Sequence, residues 1–296
     1  MNPRLLCYGR RMTLSHDQYR TRCCDLYGGI IALNDWSGMI YERITIQNTL
    51  MRLPFAPHLA DAQGAIHRGL VMILIDAAAG QVAMAQMEWR AQVATISIQH
   101  SFVAPMPKGA GLVAEGKVIA GDDEVVLVHI RVRADDNPDH VICEATARLI
   151  AIRKVEPLAQ SPAYPLVNRP GADVFFGAGN TSVTRDDGVL TMRFPFRDYY
   201  MGNRTRNALH GGVLAAVLAE AADILGGDNR VPFQLLDGQV DYLRSATDRD
   251  MIVTARMDNA GSRVGFCSLT VAQDVPGQVR VEVARMSATL GRHPTT

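Results

Sequence analysis

Asp76 is the residue whose type and place ask most directly for a function. It ends the apolar run Leu70-Val71-Met72-Ile73-Leu74-Ile75, nine positions after His67. An ionised carboxylate on so apolar a helix is costly unless it is paired or used. It is therefore a catalytic acid or base, or else a core Asp that caps a neighbouring backbone or faces another part of the chain. His210-Gly211-Gly212 opens a second apolar run. Glycines there let a ligand approach the backbone, and the unpaired N–H groups and positive dipole end of a helix start can hold a carbonyl that develops negative charge. The alternative is a loop-to-helix turn with a structural histidine. Asn203, seven residues before His210, either hydrogen-bonds in the same loop or serves turn chemistry alone. Glu220 follows His210 by ten residues where Asp76 follows His67 by nine. One residue is about 100° of rotation, so Glu220 is expected to point elsewhere than Asp76 does. Arg244 and Arg263 sit at strand ends, as solvated surface charges or as partners for a phosphate.

Other chemistries are excluded by what the sequence lacks. Its five cysteines, Cys7, Cys23, Cys24, Cys143 and Cys267, are odd in number and scattered, with no metal-ligand spacing, so neither a disulfide framework nor a metal site is expected. No nucleophile elbow, phosphate loop or dinucleotide fingerprint occurs. Thirty Lys and Arg balance thirty Asp and Glu, which removes the electrostatic footprint expected of a nucleic-acid or anionic-lipid binder. The stretch from Gly69 to Met87 approaches membrane-spanning length but carries Asp76, Gln81 and Gln86, and reads as a buried helix of a soluble, cytoplasmic protein with no membrane partner.

The elements that must position these residues occur twice. Gly64-Ala65-Ile66-His67-Arg68-Gly69 and Asn207-Ala208-Leu209-His210-Gly211-Gly212 are offset by 143 residues, and each opens a long apolar helix. A strand follows in each half, at Gln99–Pro105 and Val240–Ala246, and then segments of alternating, β-branched-rich character: Leu112–Ile119, Val125–Val132 and Val141–Ile152, against Ile252–Met257, Gly265–Ala272 and Val279–Leu290. The order is α+β. A helix apolar on nearly every side must be surrounded, and one helix with about five antiparallel strands achieves this as a curved sheet wrapped around the helix. The predicted divisions are an N-terminal extension over 1–30, a first domain over 31–155, a Pro-rich linker over 156–173 and a second domain over 174–296. Ser15-His16-Asp17-Gln18 reads as a capping box, with the first eleven residues outside the fold.

Ala208–Ala216, with Gly202-Asn203 before it and Asp241-Tyr242-Leu243-Arg244 after it, resembles the hotdog-fold acyl-CoA thioesterases of the phenylacetate-pathway (PaaI) type. His67, Gly69 and Asp76 carry the same likeness more weakly, so it covers about 38–154 and 174–291. The resemblance implies two tandem hotdogs forming a double hotdog. It also implies an active site shared between them, with Asn203, His210 and Gly211 from the second half and Asp76 from the first. A pseudo-symmetric site would join His67 and Gly69 to Glu220. That site lacks the Asn, has Arg68 where the oxyanion glycine belongs and has its acid displaced, so it is predicted weak or dead. Some relatives use a Ser or Thr on the strand after the acidic helix; Ala94 falls nearest that place, with Thr95 beside it. Gly212, Thr95, Arg244 and Arg263 are the implied substrate contacts, the arginines for coenzyme A phosphates. The implied reaction is hydrolysis of an acyl-CoA by a homo-oligomer, with no cofactor beyond the coenzyme A of the substrate and no metal. Asp76 acts in it as general base, for which a raised pKa is suited, or as nucleophile. A hotdog hydratase and an acyl-CoA-binding protein without turnover are the competing readings.

Overall fold

The computed structural model describes residues 15–29, 31–152, 171–172, 181–227 and 232–292. Alternation of apolar and polar residues makes the strands. In β5 (Val125–Ala134), Val126, Val128, Ile130 and Val132 are buried on one face while Arg131 stands exposed on the other. The first half has β1 (Ile40–Ile44), β2 (Asn48–Leu53), helix α3 (Arg68–Gln86), β3 (Gln92–Phe102), β4 (Leu112–Gly121), β5 and β6 (Val141–Ile152). The second half has β7 (Ser182–Asp186), β8 (Val189–Phe194), helix α4 (Gly211–Gly227), β11 (Gln234–Tyr242), β12 (Met251–Ala260), β13 (Val264–Gln273) and β14 (Val281–Gly291). Two short strands, β9 (Met201–Asn203) and β10 (Ala208–Leu209), pair with each other in the loop before α4.

The twelve long strands form one sheet, in the order β1-β2-β4-β5-β6-β3-β11-β14-β13-β12-β8-β7. That order reads the same from either edge once each strand is replaced by its repeat. The halves meet where β3 pairs antiparallel with β11, Gln99 opposite Gln239. Each half therefore wraps its sheet around its own helix, as the repeat and the apolar helices predicted. α3 buries Leu70, Val71, Met72, Ile73, Leu74 and Ile75 consecutively, and α4 buries Val213 through Ala219 in the same way. Each such aliphatic side chain contributes about 1.5–3 kcal/mol by leaving water. α3 is long and apolar enough to cross a membrane by length and composition, but it is almost wholly buried inside the protein.

The two helices also touch. A Cβ on Gly212 would stand 2.7 Å from Ile73 Cα, and one on Gly69 would stand 3.2 Å from Ala216 Cβ. Glycine at these starts lets the N-terminus of each helix lie against the body of the other.

Two elements precede the repeat. Helix α1 (His16–Tyr27) opens with the expected capping box, Ser15 Oγ accepting from Gln18 N and Gln18 Oε1 accepting from Ser15 N. Short helix α2 (Ala32–Ser37) follows. Sequence periodicity did not reveal that both are packed elements. Tyr19 OH donates to Ile44 O, Cys23 Sγ donates to Gln81 Oε1, and Trp36 is fully buried. The predicted linker, except Gly171 and Ala172, and the first eleven residues lie outside the described residues.

Candidate active site

Asp76 and the start of α4 come together across the two halves. Asp76 is 8% exposed; its Oδ1 accepts from Thr95 Oγ1 at 2.7 Å and its Oδ2 accepts from Gly212 N at 2.7 Å. His210 Nδ1 lies 3.1 Å from both Asp76 Oδ2 and Gly212 N. One N–H cannot serve two acceptors equally, and the shorter contact takes the Gly212 hydrogen to the carboxylate. His210 Nδ1 then carries its own hydrogen and donates it to Asp76.

Burial pushes the Asp76 carboxyl up, but the His210 hydrogen bond and charge, joined by the Thr95 hydroxyl and the Gly212 N–H, outweigh it and hold Asp76 below the ordinary carboxylate range. The expectation of a raised pKa is thus corrected: four donors and charges converge on one carboxylate, and it is ionised at neutral pH. The two structural alternatives for Asp76, capping a backbone and facing the other half, are both realised in one contact.

Gly211 faces this carboxylate. A Cβ there would stand 3.0 Å from Asp76 Oδ2, so a side chain would crowd the site. Its N–H makes no hydrogen bond among the described residues, at the first position of α4 where the helix dipole is positive. Its carbonyl accepts from Tyr242 OH at 3.0 Å. Burial, and then the Asp76 charge, raise the Tyr242 pKa well above normal, so the hydroxyl keeps its hydrogen to donate. Tyr242, the Gly211–Gly212 peptide and Asp76 therefore form a chain of donors ending on the carboxylate. Tyr242 stood in the sequence motif without a role.

Asn203 is buried beside the same loop and caps the short helix after it, its Oδ1 accepting from Arg206 N at 3.2 Å and from Thr205 Oγ1 at 2.7 Å. Its Nδ2 donates to Gln92 Oε1 at 2.9 Å, which the sequence gave no reason to single out. Gln92 Nε2 in turn donates to Thr205 Oγ1 at 2.8 Å and to Leu26 O, tying this loop to α1.

A cavity of about 360 Å³ opens on these groups, lined among others by Asp76, Thr95, Asn203, His210, Gly211 and Tyr242. That size suits a small-molecule ligand. Arg206 and Arg244 also line it, are exposed and make no ion pair with a described residue. Arg206 escaped the sequence reading because it lies in a loop without periodicity. Arg263 is placed elsewhere. It sits in the turn between β12 and β13, its carbonyl 3.2 Å from where a Gly291 Cβ would be, and Gly291 pairs with Gln234. Gln234 and Tyr242 are opposite ends of β11, about 25 Å apart at the usual strand rise.

The pseudo-symmetric site is built differently. His67 Nδ1 accepts from Gly69 N at 3.1 Å, and His67 Nε2 lies 3.3 Å from Glu220 Oε2. Glu220 does reach the histidine of the other half, against the expectation from its displacement, because its longer side chain spans to the far ring nitrogen. It does not take the Gly69 N–H as Asp76 takes that of Gly212. Arg68 stands where Gly211 does in the other site and fills the space, donating to Asp223 Oδ1 at 2.9 Å and to Leu235 O, with its guanidinium 4.8 Å from the Phe102 ring centre. No group of three or more metal-ligating side chains exists among the described residues.

Residues 63–140 match the thioesterase superfamily model, and residues 202–291 match the model of the acyl-CoA thioesterase N-terminal domain. The chain is a double hotdog. Among solved structures it is similar to the tesB protein of Mycobacterium avium subs paratuberculosis, with 12% identity, 89% of this chain and 100% of that one covered, and a TM-score of 0.60. It is similar also to an acyl-ACP thioesterase from Bacteroides thetaiotaomicron, with 12% identity, coverage of 82% and 97%, and a TM-score of 0.54. At this identity the structural likeness shows the fold alone; the two sequence matches place the halves of this double hotdog among thioesterases in general. A comparison with curated proteins finds no match.

Proposed function

We propose that this double hotdog hydrolyses an acyl-CoA thioester at the site shared by Asp76 and the start of α4. The observation that carries the reading is an ionised carboxylate held within 3.0 Å of the Cβ position of Gly211, whose N–H is unpaired among the described residues at a helix start. The thioester carbonyl oxygen docks on that N–H, which stabilises the charge it gains in the tetrahedral intermediate. Asp76 takes the proton of the attacking water, or its oxygen attacks and forms a mixed anhydride that water then cleaves. In both routes the C–S bond breaks and the thiolate leaves. His210 and Thr95 hold Asp76 in place, and Gln92 holds Asn203 at the same cavity. Arg206 and Arg244 at the cavity support coenzyme A as the carrier, because two exposed guanidinium groups with no ion pair among the described residues suit its phosphates.

The test is release of free thiol from a panel of acyl-CoA thioesters, with acylated carrier protein as a second arm. Asp76→Asn is expected to lower turnover by a factor on the order of 10²–10⁴, while Glu220→Gln leaves most of it. Hydrolysis of acyl carrier protein but not of acyl-CoA would reassign the carrier. Binding of acyl-CoA with no thiol released would replace hydrolysis by a binding role, and loss of activity in Glu220→Gln but not in Asp76→Asn would move the site. In single turnover in heavy-oxygen water, solvent oxygen in Asp76 identifies the anhydride route with water attacking the Asp76 carbonyl, since general-base catalysis leaves the Asp76 oxygens unexchanged.

A further inference from the structure

Beyond Asp76 the cavity continues along α3. Gly80, Gln81 and Met84 line one side, and Tyr27 of α1 and Ile31, just before α2, also line it. From Asp76 to Met84 the helix rises about 12 Å. Gly80 lies one turn past Asp76, and a Cβ built on it meets nothing within 4 Å among the described residues. Gly69 and Gly212 are different, since each abuts the opposing helix. Gly80 has no positive φ and sits inside an α-helix, where glycine is less stable than alanine. Neither its backbone nor any neighbouring atom of the described residues asks for glycine. What its missing side chain leaves open is the cavity.

The wall formed by α1 is fixed. Cys23 Sγ donates to Gln81 Oε1 at 3.2 Å, Tyr27 OH donates to Val93 O at 3.4 Å, and Gln92 ties Leu26 O to the Asn203 loop. The cavity beside Gly80 therefore has a set width.

We infer that the acyl chain of the substrate runs along α3 over Gly80, and that Gly80, with Tyr27 and Ile31 of the N-terminal layer, selects an unbranched apolar acyl group extended enough to pass it. This rests on the thioesterase reading for the identity of the carrier. The helices preceding the repeat are then part of the substrate site.

Gly80→Ala and Gly80→Leu test it, compared with the unaltered protein on butyryl-, octanoyl- and decanoyl-CoA and by thermal melting. Gly80→Ala is expected to melt higher than the parent, which rules out misfolding, while its ratio of kcat/KM for decanoyl- over butyryl-CoA falls about tenfold. Gly80→Leu is expected to lose octanoyl- and decanoyl-CoA hydrolysis. An unchanged ratio in both variants overturns the inference. If the parent releases thiol from none of these esters, the hydrolytic reading fails separately. The inference is then read by calorimetric binding of decanoyl-CoA, which Gly80→Leu must abolish; equal binding by parent and variant, or none by the parent, overturns it.

Discussion

The Asp76 carboxylate owes its charge to donors rather than to water. Two of those donors, the Gly212 N–H and the Tyr242 hydroxyl behind it, act through one peptide, and hydrogen bonds in such a chain polarise each other. Removing the hydroxyl weakens what reaches Asp76, so its pKa moves up toward the ordinary value. The sign follows: a carboxylate that must be ionised to work then loses activity at a higher pH. Tyr242→Phe is expected to shift the acidic limb of the kcat/KM profile upward, with the limb of the parent lying lower. His210, Tyr27 and Tyr242 are the titratable groups that bear on Asp76. A Phe variant with lower activity but an unshifted limb would reduce Tyr242 to packing. At this scale the sequence showed Asp76, His210 and Gly211 by type and context. The roles of Tyr242 and Gln92 stayed hidden because their partners are 31 and 111 residues away, and Arg206 because its loop has no periodicity.

At the scale of elements, the fold depends on two helix starts pressed against two helix bodies. Gly212, at such a start, and Gly80, in the body of α3 and clear of the opposing helix, give opposite expectations. Gly212→Ala places a methyl 2.7 Å from Ile73 Cα, a backbone atom that cannot yield without separating the helices. Overpacking of this kind costs about 1–3 kcal/mol, and here it also pulls the Gly212 N–H from Asp76. A lower denaturant midpoint together with lost turnover is expected, where Gly80→Ala raises stability. Equal stability for Gly212→Ala would mean that the helices are not in close contact. Of the two, the sequence reading singled out only Gly212, at the opening of an apolar run, and passed over Gly80 inside one. Which of them met protein and which met open space depended on the opposing element, which no local pattern contains.

For the whole molecule, the seam between the halves holds a buried liability. His100 on β3 is fully buried, neither ring nitrogen has a hydrogen-bond partner among the described residues, and a Cβ on Gly238 of β11 would stand 3.0 Å from its ring. Burial, and then the Arg68 charge, lower its pKa from 6.5 to about 4. The unfolded chain therefore binds a proton in that interval that the folded one refuses, so stability is full above about pH 6.5 and falls as pH drops toward about 4. The loss at the lower end is on the order of 3 kcal/mol. Chemical denaturation across this range should show the decline in the parent and a shallower one in His100→Leu. Parallel curves would mean that His100 finds a partner or solvent.

The sequence by itself determined the repeat, the buried helices, the alternating strands and the residue types able to handle a carbonyl, because period and composition are local properties written along the chain. Through its resemblance to a known family it also carried the expectation that one of the two sites is deficient, with Arg68 where that family has a glycine. Only the tertiary structure decided that Asp76 caps the helix of the other half and is held ionised, that Glu220 reaches His67 by the far nitrogen, and that Arg263 sits at the wrong end of β11. It also turned the residues before the repeat into a wall of the cavity. Those outcomes depend on distances between segments far apart in the chain, and such distances are set by packing.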